Sequence, residues 1–500
     1  MRALISLLLI LAPASGALCR PGDKEAWLEQ AKLYFAKGEW EKSRQATLRA
    51  LQAGPRLVPA EMLLGQVAAT QAQFREAEKH FLRVLSLEPQ DEIALGYLGS
   101  AYLEEKRFVD ARQVVERLLR LDPANPAARC ELGIIALALE EPSEAVSHFR
   151  KVLQADPSNA TALMGLLESQ LLLRRRAEAR LSAQKLTRLL SPRDPRYFRV
   201  ASLLAAHQDY VAAIPLMENV QREFPQSYEV NFNLALAYFD AQAYEKAAET
   251  LGPLISHEPR AEAYNLLAMV EEQRQRYLEA VRAFQKAAEL DPRNEDYRFD
   301  YGYELLRHQT TDAAIAVFAS GVRDFPNSGK MRVGLGCAHY VAGKYEEAAQ
   351  SILQATTLDP HNRLAYFFLG KVYEKAYALQ DAISDKFQAY VQQRPDDPWS
   401  YYHYGIILYL RSQADPHPDY EPVKSCLGKA IHLNPGFSEA YLQLGIISQR
   451  EGQFDRSVGF LARAVQANPK LAAAHYRLGQ AYTRLGQGEK AKLEFALFKK

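Results

Sequence analysis

The sequence predicts an all-α fold, a solenoid of stacked helical hairpins, and three observations lead to it. Prolines close short runs such as "LEP", "LDP" and "NP" at Pro55, Pro89, Pro123, Pro157, Pro192, Pro225, Pro259, Pro292, Pro326, Pro360, Pro395, Pro435 and Pro469. Successive gaps are 34 residues or within one of it, apart from a single gap of 40. Between the prolines, apolar residues recur twice per period at i, i+3, i+4 and i+7, the stripe of an amphipathic helix. Small residues recur at one fixed place in each stripe. A period of this length decides the architecture before any motif is considered.

Taken in chain order, the first 17 residues stand apart from the repeats. Arg2 is followed by the apolar run Ala3 to Ala12 and by the small residues Ala14, Ser15, Gly16 and Ala17. This predicts a signal peptide over 1–17, too short in its apolar core to span a bilayer. Leu18 becomes the first mature residue, 18–23 a short lead, and 24–500 a continuous solenoid of about fourteen units. Cys19 opens a second reading, a lipid anchor, which the non-small Leu18 before it disfavours. The expected location is therefore periplasmic or extracellular, with no transmembrane segment.

With each closing proline placed at position 32, positions 4, 7, 8 and 11 form one face of a first helix, for example Leu95, Leu98, Gly99 and Tyr102. Positions 20, 24 and 27 form the inward face of a second helix, such as Ala145, Phe149 and Val152. Position 8 is Gly or Ala in nearly every unit, including Gly65, Gly133, Gly302, Gly370 and Gly445. Glycine inside a helix costs up to about 1 kcal/mol, so its recurrence requires a packing reason. A close approach of the two backbones, with large residues interlocked around it, supplies one. Proline at 32 lacks an N–H and clashes with the preceding turn, which ends the second helix. Unit twelve carries six extra residues within 412–422, expected to form a loop.

Composition agrees with this and narrows the function. At 24% charged and 48% apolar the chain is an ordinary globular one, and its length alone would suggest about three domains of 150 residues, a count the repeat displaces. Lys+Arg 61 against Asp+Glu 60 gives a net charge of +1, so no global field draws it to nucleic acid or an anionic membrane. Four cysteines exclude a disulfide scaffold, and Cys130, Cys337 and Cys426 fall in non-adjacent units, too far apart to pair. No two of the 11 histidines lie within four residues of each other, and no nucleophile, phosphate-loop or zinc motif is present. The expectation is a non-enzymatic protein with no cofactor and no metal. Asn159-Ala160-Thr161 is the one glycosylation sequon and matters only in a eukaryotic host.

Trp, Leu or Tyr at 4, Leu at 7, Gly or Ala at 8, Tyr at 11, Ala at 20, Phe at 24, Ala at 27 and Pro at 32 resembles the tetratricopeptide repeat. The resemblance implies a right-handed α-solenoid superhelix whose concave surface is lined by first-helix positions 2, 5, 9, 12 and 13. At positions 5, 9 and 12, units one to five hold a single aromatic, Phe35. Units six to twelve hold nine: Phe198, Phe232 and Phe239, then Phe299, Tyr303, Tyr340, Phe367, Tyr402 and Tyr409. These predict a partner-binding groove, with core packing as the competing account of the same rings. Two ligand modes of the family do not fit. No unit pairs Lys at 5 with Asn at 9, the carboxylate clamp, and only Asn233 fits an asparagine ladder at 6.

A basic stretch interrupts the balance in unit five, where Arg174, Arg175, Arg176 and Arg180 form a candidate anion patch. A solvated helix face is the preferred account of the same residues. The expected function is a non-enzymatic scaffold that holds a partner protein or extended peptide, in cell-envelope assembly or secretion. The alternative is a component of an export machinery that binds a polysaccharide or another anionic polymer through those arginines.

Overall fold

The computed structural model describes residues 23–499 apart from residue 414. The expected signal peptide 1–17, the lead up to residue 22 and Cys19 lie outside the described residues. Twenty-eight α-helices and one short 3-10 helix follow one another without a strand among the described residues. The chain divides into two compact units at 242/243. The first runs through the helices from Lys24–Ala36 to Tyr228–Asp240, and the second from Tyr244–His257 to Gly488–Phe498.

The helices begin and end where local chemistry dictates. Second helices such as Phe74–Leu87, Phe108–Leu121 and Pro142–Ala155 each stop two residues before the period proline. The next first helix opens on a polar cap. The Asp91, Asn125 and Asn159 side chains accept from the backbone N–H of Ala94, Ala128 and Ala162 at 2.8, 3.0 and 3.0 Å. Each such cap satisfies an amide the helix would leave orphaned. Asn159, the sequon residue, thus serves as a helix cap.

Within each hairpin the two helices are joined by a tight turn with one residue in the left-handed region. Ala72, Lys106, Glu140, Arg174 and Gln208 do this in the first unit, and Gly343, Gly452 and Gly486 in the second. The following N–H reaches back to the first helix, as Arg175 does to the Gln170 carbonyl at 2.8 Å, so the αL turn closes the carbonyl ladder. Two hairpins depart from this. The helix Arg363–Val372 stops early and hands over through a 3-10 turn, Tyr377–Leu379. Between Pro398–Ser412 and Glu421–Leu433 runs the expected loop, anchored by buried Tyr420.

Most period glycines have the packing role expected of them, whereas a Cβ on Gly370 would lie 3.8 Å from Phe387, an ordinary contact. A Cβ on Gly65 would come within 2.5 Å of the Phe81 ring, one on Gly99 within 2.6 Å of Val115, and one on Gly133 within 2.6 Å of Phe149. In the second unit a Cβ on Gly302 would meet Phe318 at 2.8 Å and one on Gly445 would meet Leu461 at 2.5 Å. Position 24 therefore inserts into the space that position 8 leaves open. The same ring also touches the next hairpin: Phe149 lies against Gly165 and Phe318 against Gly334. Phe81 instead stacks on Tyr97, with centroids 5.5 Å apart. One side chain thus closes its own hairpin and seats the following one.

Ion pairs join successive hairpins at the rim. Arg107 reaches Glu78 at 2.8 Å, Arg150 reaches Glu178 at 2.6 Å, and Arg180 grips Asp209 with two bonds of 2.6 and 2.7 Å. Cys130, Cys337 and Cys426 are free. No helix among the described residues is long and apolar enough to cross a membrane.

Candidate partner-binding groove

None of the nine predicted groove aromatics is buried. Phe198, Phe232 and Phe239 of the first unit are half-buried on their first helices, and Phe232 stacks on Tyr228 at 5.8 Å. In the second unit Phe299, Tyr340, Tyr402 and Tyr409 are half-buried, while Tyr303 and Phe367 are 50% and 42% exposed. The neighbouring core rings at position 24, Phe318 and Phe387, are wholly buried. Helix geometry explains the contrast. Positions 5, 9 and 12 sit about 100° round from the stripe that holds the core.

Cations that position-by-position reading passed over complete this surface in the second unit. The Lys330 ammonium lies 4.5 Å from the Phe299 centroid, Arg307 lies 6.0 Å from Tyr303, and Lys371 lies 5.3 Å from Phe367. Lys375 lies 5.4 Å from Tyr340 and 4.6 Å from Tyr345, and Arg450 lies 5.3 Å from Tyr409. These are cation–π distances. Phe367 with Lys371 and Tyr303 with Arg307 are i, i+4 pairs, which the sequence does carry. Lys330 and Arg450 reach over from a neighbouring helix and Lys375 from the turn after Arg363–Val372, and no local spacing reveals them.

An aromatic cluster forms the middle of the surface. His403 lies 5.7 Å from Trp399, 5.4 Å from Tyr402 and 6.5 Å from Phe367, with Phe437 at 5.0 Å from Tyr402. Burial among these rings pushes the His403 imidazole down to about 4, so it is neutral at physiological pH. Burial pushes the Tyr402 phenol up to about 12. Neither group is placed to act as an acid or base near neutrality. A surface cavity of about 610 Å³ lies elsewhere, between the helix Tyr345–Leu358 and the turn at Ala378–Leu379, and none of the nine aromatics lines it.

The basic stretch resolves into two parts. Arg174, Arg175 and Arg176 are exposed, Arg174 at the αL turn, and Arg175 comes within 3.9 Å of Glu178. Arg180 is committed to the buried Asp209 carboxylate. Arg193, Arg196 and Arg199 likewise face Glu223, Asp194 and Glu168. Asn233, the lone ladder candidate, donates to the Glu229 carbonyl of its own helix at 2.8 Å. No group of three metal-ligating side chains occurs among the described residues.

Profiles of the tetratricopeptide repeat match residues 62–126, 98–171, 204–270, 261–294, 333–398 and 427–496, more than half of the chain. The chain is a tetratricopeptide-repeat protein. As a member of that family it is built to hold a protein partner. A curated relative is the BBSome complex member BBS4 homolog of Drosophila melanogaster, 22% identical over 189 residues. That match spans 37% of this tetratricopeptide-repeat chain and only 39% of the relative. Among solved structures, the yeast Tom70 is similar over 95% of this chain and 96% of that one, at 14% identity and a TM-score of 0.37. A chain of the APC/C hetero-tetramer Cut9-Hcn1 is similar over 92% and 96%, at 13% identity and a TM-score of 0.32. PilF of Pseudomonas aeruginosa is similar over 44% of this chain and 96% of that one, at 20% identity and a TM-score of 0.36.

Proposed function

We propose that this tetratricopeptide-repeat protein is a non-catalytic adaptor, exported through its N-terminal signal, that grips an extended segment of a partner in cell-envelope assembly or secretion. The observation that carries the reading is the exposure of the predicted rings. Side chains that sequence pattern assigns to the groove stand at the surface, beside rings of the same type that pack inside. Aromatic side chains half out of water are suited to anchoring a partner, where each buried ring can contribute about 2 kcal/mol or more. The rings also sit on rigid helices, so little order is lost on binding.

The test replaces Phe299, Tyr303, Phe367 and Tyr402 together by Ala. Wild-type and variant chains are used for affinity capture and cross-linking from the envelope fraction of the native host. Loss of a specific partner by the variant supports the groove. Retention of the same partner by both removes it.

The alternative, binding of an anionic polymer, is supported by the exposure of Arg174, Arg175 and Arg176. It would rest on these three, because Arg180 is held by Asp209. Salt-sensitive retention on an acidic glycan, lost when the three become Ser, is its signature.

A further inference from the structure

The cations beside the groove aromatics fall into two classes. Toward the start of the second unit they are already paired: Lys330 with Asp296, and Arg307 with Glu272 and Glu304. Between Tyr340 and Tyr409 they are not. Lys371 and Lys375 are exposed, and no carboxylate pairs with either among the described residues. Lys375 contacts Tyr340 and donates to the Tyr345 hydroxyl at 3.1 Å. Arg450 contacts Tyr409 and donates to Gln413. The next hairpin adds Arg477, whose partner is the Gln480 amide at 3.3 Å. Rings on the helices Gly329–Val341, Arg363–Val372 and Pro398–Ser412 thus lie beside unpaired cations from Arg363–Val372, the turn after it and Ser438–Arg450.

We infer that this surface takes an extended segment of a partner protein in which carboxylate side chains alternate with aromatic or apolar ones. The inference deepens the adaptor reading and rests on it. Each cation stands against a ring, at 5.3 to 5.4 Å from its centroid. An extended chain can offer each ring an apolar side chain and each cation a carboxylate, because neighbouring residues of a strand point to opposite faces. A carboxylate meeting Lys371, Lys375 or Arg450 gains a charge-assisted bond at no cost to an existing pair. The hydrophobic residue between two carboxylates meets Phe367, Tyr402 or Tyr409. A uniformly anionic polymer fits less well, because Glu374, in the turn beside Lys375, and Glu439, on the helix that carries Arg450, would repel it. His403, neutral and in contact with Trp399, Tyr402 and Phe367, adds a ring and no charge to the surface.

The experiment measures fluorescence anisotropy of the purified full chain with labelled peptides. One peptide alternates Asp with Phe and Leu, and a second carries Asn for every Asp. Heparin and polyglutamate serve as uniformly anionic probes. The Asp peptide is expected to bind at least about tenfold more tightly than the Asn peptide, with affinity falling as salt rises. In K371S/K375S/R450S that advantage should vanish while the thermal transition moves little, since the ring contacts and hydrogen bonds removed are those of exposed side chains. In the charge-reversed K371E/K375E chain, a Lys-for-Asp peptide should bind in preference, which guards against a variant that simply misfolds. Equal binding of the Asp and Asn peptides, both lost in F367A/Y402A/Y409A, would leave the groove standing and overturn the charge preference. Tighter binding of heparin or polyglutamate than of the Asp peptide overturns it in favour of a polyanion. No binding of any peptide overturns the inference and the adaptor reading together.

Discussion

Gly133 faces Phe149 so closely that a single added methyl would stand 2.6 Å from the ring, and Gly165 of the next hairpin faces the same ring from the other side. Phe318 repeats the arrangement between Gly302 and Gly334. The helix thus tolerates a poor former where the alternative is a collision. Substituting Gly133→Ala or Gly334→Ala should destabilise by about 1–3 kcal/mol, the usual cost of overfilling a packed site. Gly459, inside the helix Phe454–Ala467, is exposed and has nothing within 4 Å of a built Cβ. There Gly459→Ala should stabilise by about 0.5–1 kcal/mol. Chemical denaturation of the three variants checks both signs, and a loss at Gly459 equal to that at Gly133 would refute the packing account.

Asp209 is nearly inaccessible, its side chain 1% exposed, and Arg180 supplies both of its ion-paired bonds. That guanidinium holds the carboxyl below its ordinary value. Arg180→Ala should destabilise the fold, because it leaves the inaccessible Asp209 carboxylate without its partner. A carboxyl held low stabilises fully above its unfolded value, and the gain is lost as pH falls through the folded one. The difference between wild type and variant should therefore be full at neutral pH and shrink on acidification below about pH 4. Denaturation curves collected across that range test it; a gap that widens in acid would contradict the assignment.

Burial pushes the Cys130 thiol up to about 11 and the Cys337 thiol up to about 12. The thiolate is the reactive form, so both should be inert in the folded protein. Alkylation with iodoacetamide at about pH 8 should be slow natively and fast in denaturant. Rapid native labelling at either residue would mean local opening of its hairpin.

The apolar run Ala3 to Ala12 and the small residues after it lead to one more expectation. Protein recovered from its native host should begin at Leu18, read by intact mass and N-terminal sequencing. A chain starting at Met1 would dismiss export, and a diacylated Cys19 would replace the soluble product with an anchored one.

Most of the fold was legible because its determinants are local. Pro89, Pro123 and Pro157 end helices within two residues, and Asp91, Asn125 and Asn159 begin them within one. The position of Phe367 or Tyr303 on a helix follows from spacing alone, but the same spacing served groove and core equally, and only the packed hairpins leave the two rings exposed. What escaped are partners from another hairpin. Gly165 and Gly334 look like stray glycines until Phe149 and Phe318 arrive from 16 residues earlier. Arg180 reads as part of a basic cluster until Asp209 comes up beside it from 29 residues on. Lys375 is an unremarked surface lysine until Tyr340 lies beneath it. Period and pattern say which face a side chain takes, and the identity of its cross-hairpin neighbour is set by the stacking itself.

The ring held between glycines also bears on how such a chain could lengthen. Phe149 and Phe318 meet the same residue type at the same separation on either side. A duplicated 34-residue block would bring its own ring and its own pair of glycines, and the neighbours on both flanks would need no compensating change. The contact is therefore heritable as a module. Tandem copying of one block inside either unit can add a hairpin in a single genetic event, leaving selection free to act on the outward-facing positions alone.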